Sequence, residues 1–138
     1  MSTTRENILD TIKTNITAVT GISSASLLQP SPVDLDTIAM PAAFIYTGAE
    51  VRLADNRAVI GYETWQWEVF IEVWARDTDM EALLGLIHSK MYLDEEIGNY
   101  AVISYRTGVD MQVVDPEQSL QVMLITYEVI YRHVKGTM

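Results

Sequence analysis

Between Tyr62 and Arg76 the chain reads YETWQWEVFIEVWAR, and its polarity alternates with a period of two. The odd positions from Trp65 to Ala75 are Trp65, Trp67, Val69, Ile71, Val73 and Ala75, all apolar, whereas the even positions Gln66, Glu68, Phe70, Glu72, Trp74 and Arg76 are mostly polar. Successive side chains of a strand leave opposite faces, so the run predicts one long strand with a single face in a core. Phe70 and Trp74 fall on the polar face together with Glu72. Rings of that size in a polar setting point to a contact beyond the subunit's own core, which makes Phe70, Glu72 and Trp74 candidate contact residues.

The remaining elements arrange themselves around this strand. Thr3 and Glu6 are spaced as a capping box, and Ile8, Leu9, Ile12, Ile16 and Val19 recur at helical intervals, predicting a helix from Thr3 to Val19 with Gly21 placed for a left-handed cap. A short strand is expected at Ile22 to Leu28. Pro30, Ser31 and Pro32 then break regular structure into a loop. A second strand runs from Ala42 to Thr47, with Gly48 as a break and a continuation through Val51 and Leu53. Asp55-Asn56-Arg57 reads as a turn, so residues around 48–61 predict a projecting hairpin whose bases Arg52 and Arg57 join the candidate contact residues.

After Arg76, Thr78 and Glu81 are spaced as a capping box and Met80, Leu83, Leu84, Ile87 and Met91 form one apolar stripe, predicting a second helix. Gly85 in its middle suggests close packing on the sheet. Strands are expected at Tyr100 to Thr107 and Leu120 to Val134, separated by a loop holding Gly108 and Asp115-Pro116. Val122, Met123, Leu124 and Ile125 are apolar in succession, so both faces of the last strand need covering there. The order α-β-β-β-α-β-β predicts an α+β fold: one domain, with two helices packed on a largely antiparallel sheet.

With 138 residues the chain is long enough for one real core and too short for two. Nineteen acidic side chains against nine basic ones leave a formal charge of −10, which opposes binding to nucleic acid through its phosphates. No cysteine is present, which excludes disulfides and thiolate metal sites. The first residues lack a basic start followed by an apolar segment, and no apolar run approaches the roughly 18 residues of a membrane span, so a product of the cytoplasm is expected.

Motifs for chemistry are missing from the sequence. His88 and His133 lack the spacing of a metalloenzyme helix and read as ordinary surface or boundary residues. Glu68 and Glu72 share a strand face but stand roughly 13 Å apart along it, too far for a retaining carboxylate pair. Asp94-Glu95-Glu96 lacks the alternation and glycine of a calcium loop. The seven glycines are scattered singly, and no Gly-x-Ser-x-Gly turn occurs. Trp65 and Trp67 read as core. Neither catalytic residues, cofactor nor metal is expected, and the chain reads as a protein that is not an enzyme.

Four features carry a resemblance. They are the short leading helix; Pro41-Ala42-Ala43-Phe44-Ile45 ahead of the hairpin; the strand Trp65 to Ala75 followed by Asp77 and the helix Met80 to Met91; and the ending Leu124-Ile125-Thr126-Tyr127-Glu128-Val129-Ile130-Tyr131-Arg132. Over nearly its whole length the chain resembles the tail terminator, or tail-completion, proteins of long-tailed bacteriophages and their prophages. The resemblance implies a virion structural protein, assembled in the host cytoplasm, that forms a homohexameric ring at the head-proximal end of the tail tube. There it stops tube polymerisation and offers a docking surface to the head connector. Its implied partners are copies of itself, the tail tube protein and the head-tail connector protein. DNA would pass through the channel without specific binding, and no membrane is involved. Another head-tail connector or neck adaptor protein would share this size and symmetry.

Overall fold

The computed structural model of the chain describes residues 3–28, 38–53, 62–117 and 119–134, with only the backbone of Tyr62, His133 and Val134. Helix α1 (Thr4–Thr17) and helix α2 (Met80–Tyr92) accompany five strands: β1 (Ser24–Ser26), β2 (Ala42–Arg52), β3 (Tyr62–Arg76), β4 (Ile103–Asp115) and β5 (Leu120–Val134). The class and element order are those read from the sequence, α+β with α-β-β-β-α-β-β. The strands form one sheet in the order β1-β2-β3-β5-β4. All neighbours pair antiparallel except β1 with β2.

Strand β3 holds the sheet together because it pairs with β2 along one side and, without interruption from Tyr62 to Arg76, with β5 along the other. Its odd positions face the helices. Ile71 is fully buried between Ile45 of β2 and Ile125 of β5, its register partners, and Val73 is likewise buried between Ala43 and Met123. Both helices complete this core. From α1 come Ile8, Ile12 and Ile16, one per turn, and from α2 come Met80, Leu83, Ile87 and Met91.

Capping follows the chemistry of helix ends, with one shift. The Thr3 hydroxyl accepts a hydrogen bond from the Glu6 amide at 3.1 Å, as expected. At α2 the cap is Asp79, whose carboxylate accepts from the Ala82 amide at 3.1 Å. Thr78 instead donates its hydroxyl to the Arg76 carbonyl. A carboxylate one residue later both caps and sits at the positive end of the helix, which favours Asp79 over the Thr78 read from the spacing.

Three further expectations change. Gly85 is exposed and a methyl group there would meet nothing within 4 Å, so it does not mark close packing on the sheet. Gly108 lies inside β4: the pairing with β5 shifts register between Arg106 and Gly108 and then continues to Asp115. A glycine on an edge strand accommodates such a bulge, which is why the expected loop is absent there. Gly48 is also within a strand. Register slips between Thr47 and Glu50, and a side chain at Gly48 would collide with the Glu68 carboxylate and the Phe70 ring. The β2–β3 pairing runs on past Arg52, where the Leu53 amide donates to the Thr64 carbonyl at 2.9 Å. The outer part of the expected hairpin, Arg57 included, lies outside the described residues.

One polar cluster ties α1 to the sheet. Arg5 places its guanidinium 4.8 Å from the centre of the Trp67 ring and 3.4 Å from the Glu50 carboxylate. The same Glu50 oxygen accepts the Tyr131 hydroxyl at 2.6 Å. Burial, and then that carboxylate, push the Tyr131 phenol well above its ordinary value.

Candidate functional site

With both helices on one face, the other face of the sheet has no helix among the described residues. It carries the even positions of β3, so Phe70, Glu72 and Trp74 lie side by side on it as the sequence predicts. All three are half-buried. Their neighbours across the register are Tyr46, Phe44 and Ala42 of β2 and Thr126, Leu124 and Val122 of β5.

Glu72 is the centre of this surface. One carboxylate oxygen accepts the Trp74 indole N–H at 2.6 Å and the other accepts the Tyr46 hydroxyl at 2.7 Å. Two donors on a half-buried carboxylate hold its charge in place and fix the indole plane. Burial, with the Glu72 carboxylate adding to it, raises the Tyr46 phenol well above its ordinary value. Phe70 packs against Tyr46, ring centres 5.3 Å apart, and Glu68 accepts from the Ala49 amide at 3.4 Å. Phe70 thus belongs to a local aromatic pair and is not an isolated ring in water.

Beside this cluster Trp74, Val122, Leu124 and Val114 line a shallow cleft of about 300 Å³ whose remaining walls are Glu72, Asp110 and Gln112. Val122 and Leu124, read from the sequence as needing cover, are only half-buried here, while Met123 and Ile125 on the helical side are fully buried. The same edge of the sheet is open: among the described residues β4 pairs only with β5. Ile103, Tyr105, Val109, Val113 and Val114, all of β4, are exposed. Arg52 sits exposed at the end of β2 and is not brought next to Trp74, since it pairs with Trp65 at the other end of β3.

A second group of residues escapes sequence reading. His88 of α2, Ser104 of β4 and Tyr127 of β5 line a different cleft, on the helical side, together with Arg106 and Glu95. His88, expected to be an ordinary boundary residue, has its Nδ1 buried without a hydrogen-bond partner. The usable signal was parity: Tyr127 alternates with the buried Ile125 and Val129, so its hydroxyl enters the core side. Among the described residues no three His, Cys, Asp or Glu side chains could hold a metal ion, and no helix is long and apolar enough to cross a membrane.

No family model matches the chain, and no curated protein does. Among solved structures, a chain from the virion of a native gene transfer agent particle is similar, with a TM-score of 0.47 and 10% identity over 91% of this chain and 94% of that one.

Proposed function

We propose that the chain is a virion structural protein that caps the head-proximal end of a phage tail tube as a homohexameric ring, stops tube growth and presents a docking surface to the head connector. The supporting observation is the helix-free sheet face, where Trp74, held by Glu72, borders the half-buried Val122 and Leu124. Aromatic residues with a polar surround are enriched in the centres of protein interfaces.

Capping follows from symmetry. A tube grows because each ring presents a surface complementary to the next, a heterologous contact without a natural end. A terminator meets that surface on one side and offers a different one on the other, so addition stops. Phe70, Glu72 and Trp74 belong to the subunit or tube contact in this reading, with Arg52 and Arg57 at a second contact. The formal charge of −10 suits a ring through which DNA slides without being held.

Purified protein added to polymerising tail tube subunits tests this directly. Tubes should stop lengthening at substoichiometric amounts and carry a ring at one end in electron micrographs. Tubes of unchanged length with bare ends would reject the reading.

A further inference from the structure

We propose that two copies of this chain pair edge to edge through β4, across a two-fold axis centred on Met111. Strand β4 closes one side of the sheet, and among the described residues its outer edge has no partner. Such an edge presents unpaired backbone N–H and C=O groups, which proteins commonly guard with charges, proline or a bulge. Register shifts fall between Arg106 and Gly108 and between Val113 and Asp115, so residues 108–113 form a regular stretch between them. Apart from Asp110 that stretch carries neither charge nor proline. Val109 and Met111 lie opposite the buried Ile125 and Met123, on the helical side, and Val113 follows by alternation. Val109 and Val113 nevertheless stay 39% and 61% exposed.

The side chains select a second copy as the partner. Residues 109–113 read Val-Asp-Met-Gln-Val, nearly the same in both directions. A strand meets its own copy antiparallel across a two-fold axis perpendicular to the sheet, an isologous contact that closes at two. Directly opposed residues share one face of a sheet, so the axis passes through a residue. With the axis at Met111, Val109 lies opposite the partner's Val113, and Asp110 opposite the partner's Gln112. The helical side then joins the valines of both copies around the two methionines. On the other side each carboxylate faces an amide, the same two groups that bond within one chain at 3.2 Å. An axis at Asp110 would set two carboxylates against each other, and one at Gln112 would set Asp110 against Val114; both arrangements are unfavourable. A contact of this size is small beside a standard interface, so the dimer should depend on concentration.

The pairing does not depend on the ring, and it is measured without a tail tube. Because the chain has no cysteine, a single introduced thiol reports on its own copy alone. In Met111→Cys the sulfurs sit on directly opposed residues, whose Cα atoms are about 4.5–5.5 Å apart and within the span of a disulfide. In Val113→Cys they are four residues out of register, about 14 Å along the strands. Mild oxidation of the intact protein should therefore convert Met111→Cys into a covalent dimer of twice 15.5 kDa, with about tenfold less from Val113→Cys. Mixing Val109→Cys with Val113→Cys should restore it. Sedimentation of the unsubstituted chain should show a dimer that dissociates on dilution. Gln112→Asp, which sets like charges opposite each other, should weaken it about fivefold, and Gln112→Lys should tighten it severalfold; Gln112 is exposed, so both variants keep the fold. Equal cross-linking of Met111→Cys and Val113→Cys, a chain that stays monomeric until a different protein is added, or passage straight to a six-membered ring with no response at Gln112 would overturn the pairing.

Discussion

Trp74 donates its indole N–H to Glu72 at 2.6 Å, although the two residues are neighbours on the same face of one strand. A second donor, the Tyr46 hydroxyl, binds the other oxygen of the same carboxylate from the adjacent strand. The most prominent ring on the helix-free face is therefore held in one orientation before any partner arrives, which lowers the entropy cost of a contact made through it.

Removing that carboxylate should loosen the face without unfolding the chain. Glu72→Ala leaves two donors without an acceptor, and because the group is half-exposed the cost should be about 1–2 kcal/mol. Urea denaturation monitored by tryptophan fluorescence measures it; an unchanged midpoint would show that water replaces both bonds freely.

Trp74→Glu acts differently, since it places a second negative charge beside Glu72 on a surface proposed to be covered in the assembly. Helix content by circular dichroism should remain, while ring formation or tail capping is lost. Unchanged assembly would remove Trp74 from the contact.

Gly85 offers a stabilising change. It lies in the middle of α2 with open space around it, so Gly85→Ala should raise stability by roughly 0.5–1 kcal/mol through helix propensity alone. At Gly48 the sign reverses. A side chain there collides with Phe70 and Glu68, so Gly48→Ala should cost about 1–3 kcal/mol and displace Phe70 from Tyr46. Paired denaturation curves test both, and equal shifts of the same sign would contradict the packing described.

Alkaline pH should unfold the protein steeply. Tyr46, Tyr127 and Tyr131 keep their protons in the fold above the ordinary value of 10.0, mainly because burial disfavours the phenolate. The unfolded chain then binds fewer protons than the folded one once pH exceeds about 10, so the stability they contribute is full below that value and is lost as pH rises toward 12 and beyond. Phenolate absorbance should therefore show late-titrating tyrosines that ionise together with unfolding. Tyr127→Phe should soften the fall.

Much of the fold was legible because its long strands carry clear alternation. Ile71 and Val73 could be placed in the core from parity alone, and the helices from their stripes of Ile8, Ile12 and Ile16 and of Leu83 and Ile87. Gly108 misled because a glycine reads the same whether it ends a strand or forms a bulge on an edge, and only the β5 register distinguishes them. Glu72 was visible as a polar face residue, but its partner Tyr46 sits on another strand and depends on the β2–β3 register. His88, Ser104 and Tyr127 belong to three elements, and no local pattern joins them.

A chain that ends the growth of a tail tube leaves that growth unchecked when it is lost. The decisive measurement is tail length by electron microscopy after induction of a phage or prophage from which its reading frame has been deleted. Over-long tubes without heads, restored to normal by the wild-type gene and not by Trp74→Glu, are the predicted result. Tails of normal length joined to heads would contradict it.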